Sequence, residues 1–330
     1  MQVWEAALPI PQLNRSRRVW VYLPQDYATS GKDYRVLYMH DGQNVFDAAT
    51  SFVGEWEVDE SLTQRENEGK ESAIVVAIDN GGVHRLDEYS PFVNAQFGGG
   101  EGDAYLDFIV HTLKPQIDSA FRTLDGPEHT GIMGSSMGGV ISHYAHFRHP
   151  DVFGKAGIFS PAYWFSDGFF SHTTATGKVG TPRLYLLAGA LETQIANGTA
   201  AMFDTLQALG FNAAEAVVSI PSDGEHSEWF WAREFPAAFE WLFPEAPPTG
   251  LESPSASAVR LYPNPARNVL YVEAEGPAAV RVFDLLGRPL LAQTIVDRGT
   301  IDLQNISGVH QLVVHIRQHN RVQVQRILKL

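Results

Sequence analysis

The sequence predicts an α/β fold with a mainly parallel central sheet, followed by a small C-terminal all-β sandwich domain. Three observations carry that expectation. Residues 1–243 alternate short β-rich runs with longer helical ones, the pattern of helical crossovers between parallel strands. Several β-rich runs are apolar without alternation, as strands covered on both faces must be. Beyond a Pro/Ser-rich stretch, residues 258–330 change to short alternating runs separated by Pro and Gly turns.

In chain order the expected strands of the large module are 19–23, 35–40, 73–78, 130–133, 156–159, 183–188 and 216–220. The first is a β-branched and aromatic run; several of those that follow are apolar without alternation, Ala73-Ile-Val-Val-Ala-Ile78 most clearly. Helical spacing of apolar residues marks 105–121, 138–148, 200–209 and 228–242 between and after them. In such a sheet, chemistry is expected where strands end on their carboxyl side. In the tail, Pro263 to Pro265, Gly287 and Gly308 mark the turns.

The chain of 330 residues therefore divides into an α/β module (1–243), a linker (244–257) and a β module (258–330). The linker holds four prolines, which disfavour helix and sheet alike. Charge divides at the same place: residues 258–330 carry nine Arg and Lys against five Asp and Glu, a net of +4, while the rest carries −18. The overall net charge of −14 argues against a nucleic-acid partner, which needs a basic face. With no cysteine, disulfides, thiolate-ligated zinc and a thiol nucleophile are excluded together. No apolar run approaches the roughly 20 residues needed to cross a bilayer, so no transmembrane segment is expected. The N-terminus lacks the basic-then-apolar pattern of a signal peptide, because Pro9 and Pro11 interrupt its apolar stretch. That leaves a cytoplasmic protein, or a sequence that begins after a leader.

The strand at 130–133 runs into Gly134-Ser135-Ser136-Met137-Gly138-Gly139 and then a helix. This is G-x-S-x-G between strand and helix, the context of a nucleophile elbow. The turn is expected to be so tight that only glycine fits at 134 and 138, lifting Ser136 above the sheet at a helix N-terminus. There the N–H of Met137 would face a developing oxyanion. A serine nucleophile needs a base, and the base a carboxylate. His226 follows the strand at 216–220, and Glu192 follows that at 183–188, both at strand carboxyl ends. Asp167 and Asp223 are rivals of Glu192 for the acid. A second oxyanion donor is expected from the loop His40-Asp41-Gly42-Gln43-Asn44, where Gly42 would admit a substrate close to the Gln43 N–H. His40 and Asp41 read as a hydrogen-bonded pair shaping that loop. His143, His146 and His149 follow the elbow, but only the first two share a helix face, so no metal site is expected. Trp56, Tyr163, Trp164 and Trp229 flank the catalytic loops in sequence and are candidates for a substrate wall.

From about residue 17 to residue 243 the chain resembles the putative-esterase family of α/β hydrolases, which includes esterase D-like, enterochelin esterase-like and feruloyl esterase-like enzymes. The stretches that carry the likeness are Val19-Trp-Val-Tyr-Leu-Pro24, Leu37-Tyr-Met-His-Asp-Gly-Gln-Asn-Val-Phe-Asp47, Gly134-Ser-Ser-Met-Gly-Gly139 and Asp223-Gly-Glu-His226. The resemblance implies an α/β-hydrolase fold, Ser136 as nucleophile, His226 as base, Glu192 as acid, and oxyanion donors at Met137 and the Asp41–Gln43 loop. It implies no metal and no organic cofactor, and an ester substrate without naming the ester; the flanking aromatics make acylated carbohydrate one candidate. An acyltransferase with the same triad, or a non-catalytic carbohydrate-binding protein, are the alternatives. The tail, with Val259-Arg-Leu-Tyr-Pro-Asn-Pro265, Val282-Phe-Asp-Leu-Leu-Gly287 and Ser307-Gly308, resembles the C-terminal sorting domain of the type IX secretion system. That implies the secretion machinery as a partner and a secreted or cell-surface location, although Val309-His310 stands where the family has an aromatic.

Overall fold

A computed structural model describes residues 1–51, 53–245, 259–285, 287–318 and 321–329. The chain forms two compact units, Met1–Glu245 and Ala246–Leu330. All but Pro244 and Glu245 of the expected linker lies outside the described residues.

The first unit is built on an eight-stranded sheet of order β1-β2-β4-β3-β5-β6-β7-β8. Its strands are β1 (Gln2–Ile10), β2 (Arg15–Tyr22), β3 (Val36–His40), β4 (Ile74–Ile78), β5 (Thr130–Ser135), β6 (Lys155–Phe159), β7 (Arg183–Leu187) and β8 (Ala216–Ser219). β1 pairs β2 and β2 pairs β4 antiparallel, while every pair from β4 to β8 is parallel. The helices are α1 (Val58–Asn67), α2 (Arg85–Glu88), α3 (Gly102–Phe108), α4 (Lys114–Ala120), α5 (Met137–Arg148), α6 (Gly168–Thr176), α7 (Thr193–Ala208) and α8 (Glu228–Leu242). A π-helical turn, Ile109–Leu113, joins α3 to α4.

The non-alternating strands are explained by two cores, one on each face of the sheet. Val36, Tyr38, Ile74, Val76, Ile132 and Ile158 pack into one core with Val140, Ile141 and Tyr144 of α5. Their strand neighbours Leu37, Met39, Val75, Ala77 and Met133 pack into the other, with Trp231, Phe235, Phe239 and Leu242 of α8. β3 pairs β4 on one side and β5 on the other, so the order of strands reverses between β3 and β5, the place where sheets of this kind bind ligands beyond their carboxyl ends.

The second unit contains β9 (Arg260–Tyr262), β10 (Val269–Phe283), β11 (Pro289–Asp302), β12 (Gln311–Gln318) and β13 (Arg321–Leu328), paired antiparallel in one sheet. The all-β expectation is met by a long β10–β11 hairpin that breaks register between Glu273 and Pro277. β10 pairs β9 before that break and β12 after it, around a single core including Leu261, Leu270, Val280, Ile301, Leu312 and Ile316. Gly287 and Gly308 turn the chain with φ of 78° and 71°, where glycine is least strained.

Candidate active site

Ser136 alone turns the chain from β5 into α5. Its φ and ψ are 57° and −118°, a combination that L-residues avoid. The turn is pinned by the Ser136 N–H donating to Phe159 O (2.9 Å), while Ser136 O accepts from the N–H groups of Gly139, Val140 and Ala162. A Cβ at Gly134 would lie 3.0 Å from the Gly138 backbone, and one at Gly139 would lie 2.7 Å from Phe159 O. At Gly138 the nearest atoms, Asp41 Oδ2 and His40 Cβ, are 3.3 Å away. The sequence reading placed the crowding at 134 and 138; Gly139 carries the harder constraint.

The loops after β7 and β8 bring Glu192 and His226 together. Ala190 N–H donates to Pro221 O (2.9 Å) and Leu191 N–H to Gly224 O (3.1 Å). Gly189 allows this, since a Cβ there would come within 2.1 Å of the Gly224 backbone. His226 Nδ1 and Glu192 Oε2 are 2.5 Å apart. The Glu192 side chain is 3% exposed and that of His226 is 39% exposed, so the acid is buried beneath an accessible imidazole. Glu192 Oε1 accepts from the Gly189 N–H (2.8 Å) and the Ser160 hydroxyl (2.7 Å). Burial alone would raise the Glu192 carboxyl, but hydrogen bonds from His226, Gly189 and Ser160 outweigh it and hold the group below the usual carboxylate range. Asp223 is instead engaged by both terminal nitrogens of Arg233 (2.6 and 3.0 Å). Asp167 stands exposed before α6.

On the opposite flank, Asp41 adopts a left-handed conformation and Gly42–Asn44 form a 3₁₀ turn. A Cβ at Gly42 would lie 2.8 Å from backbone atoms of Ala77, Ile78 and Asp79. The glycine therefore lets the loop pass the end of β4, a correction to the expectation that it makes room for a ligand. Among the described residues, neither Gln43 N–H nor Met137 N–H donates to a protein acceptor. Gln43 Oε1 accepts from the Asn80 N–H (3.1 Å), and Thr50 Oγ1 donates to Gln43 O (2.8 Å), which fixes the peptide. His40 and Asp41 are not the pair the sequence suggested. His40 Nδ1 meets the Tyr105 hydroxyl at 2.9 Å, and burial pushes its imidazole down to about 3. Asp41 accepts two bonds from Arg85 (2.7 and 2.9 Å) and one from Asn80 Nδ2 (2.7 Å). Burial alone would raise its carboxyl, but Arg85 and Asn80 outweigh that and hold it low.

Of the four aromatic candidates, two are in the core. Trp56, 4% exposed, packs on Phe159 and Trp231 with ring centroids 5.2 and 5.6 Å apart. Tyr163, 3% exposed, places its hydroxyl 3.0 Å from His143 Nδ1. Both are corrections to the expected substrate wall, because each ring is buried against other core side chains. Trp164 and Trp229 are 48% and 47% exposed. Trp164 stands two residues past Ala162, whose N–H binds Ser136 O, and meets Phe97 edge to face at 5.5 Å. Trp229 Nε1 donates to Glu225, and the Arg233 guanidinium lies 5.2 Å from its ring.

His143 engages Thr173 and Tyr163 through its two ring nitrogens, and His146 meets Phe153 O through Nδ1. Burial pushes them down to about 3 and about 4. Among the described residues, the trio of side chains close enough to share a metal is Glu55, Asp59 and Glu60, none of them on the catalytic loops. The sequence reading missed Ser160, Arg85 and Asn80. Their only signal was a polar residue just after a buried strand, or in the loop that follows β4.

The family model described as "Putative esterase" matches residues 10–242, and that described as "Secretion system C-terminal sorting domain" matches residues 260–329. The sorting-domain match points to secretion or the cell surface. The chain is 27% identical over 242 residues to the uncharacterized protein YbbA of Bacillus subtilis, covering 69% of this chain and 93% of that protein. It is 28% identical over 229 residues to the iron(III) enterobactin esterase of Escherichia coli strain K12, covering 67% of this chain and 52% of that protein. The BES protein from Bacillus cereus shares the fold with a TM-score of 0.59 at 18% identity, over 73% of this chain and 94% of that one.

Proposed function

We propose that this chain, which belongs to the family described as "Putative esterase", hydrolyses carboxylic esters through Ser136, His226 and Glu192. Membership carries ester hydrolysis; the serine mechanism is supported by the local geometry. The observation that carries it is the 2.5 Å contact of His226 Nδ1 with a buried Glu192 carboxylate, at the rim where Ser136 is held in the elbow conformation. In this mechanism the Ser136 hydroxyl oxygen attacks the ester carbon and passes its proton to His226 Nε2. Glu192 keeps the Nδ1–H tautomer and stabilises the imidazolium. The tetrahedral oxyanion is met by the N–H groups of Met137 and Gln43. Its collapse expels the alcohol, which leaves with the proton from His226, and Ser136 stays acylated. Water then gives a proton to His226 as it attacks the acyl carbon; collapse releases the acid, and the departing Ser136 oxygen takes that proton back from His226.

Acyl esters of carbohydrates are the proposed substrate class, because Trp164 and Trp229 offer exposed ring surface to a sugar face. The test is covalent labelling by a fluorophosphonate, followed by peptide mapping. Modification confined to Ser136 is expected; labelling elsewhere, or none, overturns the mechanism. A screen of acetyl, feruloyl, sugar and enterobactin-type esters then ranks substrates. A higher rate on enterobactin-type esters than on sugar esters would replace the carbohydrate assignment by the activity named for the Escherichia coli relative. Product analysis with a sugar acceptor present separates hydrolase from acyltransferase.

The tail serves as an export address read by the type IX secretion machinery in this proposal, supported by the sorting-domain match. Each unit has its own apolar core. Removing residues 257–330 is therefore expected to leave kcat/KM on a short ester within about twofold, and to abolish export in a native host. A collapse of kcat/KM with the fold intact would give the tail a part in substrate binding instead.

A further inference from the structure

Ser160 follows the last residue of β6, is fully buried, and holds a φ of 39° that non-glycine residues seldom adopt. Its N–H donates to Leu187 O (2.6 Å), tying it to the end of β7 just before the Glu192 loop. The hydroxyl oxygen lies 2.9 Å from Trp231 Nε1 and 2.7 Å from Glu192 Oε1. An indole N–H can only donate, so it occupies a lone pair of the hydroxyl and sends the Ser160 proton to the carboxylate. With the Gly189 N–H on the same oxygen, Oε1 is filled twice from the protein, and Oε2 faces His226 Nδ1. The Trp231 ring also meets the His226 imidazole edge to face, with centroids 5.1 Å apart and planes at 85°. One indole thus touches the base directly and the acid through a single hydroxyl.

We propose that Ser160 and Trp231 are positioning residues that lock the Glu192 carboxylate with Oε2 presented to Nδ1 of His226. The inference rests on the triad reading above. In that role the strained backbone at Ser160 has a purpose, because it turns a side chain at a strand end back under the neighbouring strand's loop. The acid then needs no reorientation when the imidazolium forms.

The test uses the full chain and a short p-nitrophenyl ester. Ser160→Gly suits the positive φ and removes the hydroxyl together with its β-carbon; Trp231→Phe removes the indole donor and part of the ring while keeping an aromatic side chain. Ser160→Gly is expected to lower kcat by about 10- to 100-fold, the scale of a lost bond to a charged group, and Trp231→Phe, which loses a bond to a neutral hydroxyl, by about 3- to 10-fold, both with KM unchanged. In a Glu192→Gln background, Ser160→Gly should cause no further fall, because its effect runs through the carboxylate. The low-field proton resonance of the His226–Glu192 hydrogen bond should shift in both variants, a signature that loss of packing alone would not give. Thermal melting by circular dichroism checks the fold of each. Full kcat in Ser160→Gly and Trp231→Phe, with Glu192→Gln impaired, overturns the positioning role while leaving the triad standing. Full kcat in Glu192→Gln overturns the triad, and the positioning role with it.

Discussion

Ser136→Ala is expected to lower kcat on a short p-nitrophenyl ester by about 10⁶-fold, the scale seen when a serine nucleophile is removed from a triad. The loss is so large because the hydroxyl has no substitute: the chain has no cysteine, and the neighbouring Ser135 lies within β5, buried on the strand. A small rate above the uncatalysed reaction should persist, since Met137 and Gln43 still present their N–H groups to a carbonyl oxygen. The variant should bind a substrate analogue as the parent does and melt at the same temperature or slightly higher. The turn depends on backbone bonds of residue 136 and on Gly134 and Gly139, none of which involves the hydroxyl. Turnover within tenfold of the parent would remove Ser136 from the mechanism. Loss of activity together with loss of the folded state would not count as support, and substrate-analogue binding separates the two.

The sequence made the parallel sheet legible because its strands are buried on both faces, and a run such as Ile74-Val-Val-Ala-Ile78 has no other economical reading. It concealed β1, an edge strand whose exposed residues and Pro9 look like a loop; an edge tolerates both, because among the described strands β1 pairs with β2 alone. It concealed α1 as well. The buried positions there are Val58, Leu62 and Arg65, a helical spacing in which the third place is taken by an arginine. That arginine reaches Glu240 and Glu245, so a buried charge broke the apolar period. The proposed triad of Ser136, Glu192 and His226 is suggested by sequence because each residue follows a strand, and strand ends share a rim. Ser160 has the same placement but was silent, since a serine after a strand carries no motif; only the pairing with Trp231 and Glu192 gives it meaning. Trp56 and Tyr163 were misplaced because nearness in sequence to catalytic loops does not fix the side of the loop a ring faces. In both cases the ring turned to the core, where its area is removed from water.

Glu192→Gln is expected to lower kcat about 10⁴-fold with little change in KM. The amide keeps the shape of the carboxylate and can still accept the Gly189 and Ser160 bonds on its oxygen. That places the NH₂ group opposite His226 Nδ1, where it is a donor facing a donor. The imidazole is then driven to the tautomer with its proton on Nε2, which cannot accept from Ser136, and the imidazolium loses its counter-charge. Glu192→Asp should fall between the two: the charge survives, but the shorter side chain cannot hold Ser160 and His226 at once. The rivals provide the control. Asp223 is bound to Arg233 on the surface and Asp167 stands exposed ahead of α6, so Asp223→Asn and Asp167→Asn should leave kcat within about twofold. A profile with full activity in Glu192→Gln and a thousandfold loss in either aspartate variant would reassign the acid and leave Ser136 and His226 in place. The reverse profile would mean that a carboxylate buried beneath an accessible histidine, with hydrogen bonds to both of its oxygens, organises the base.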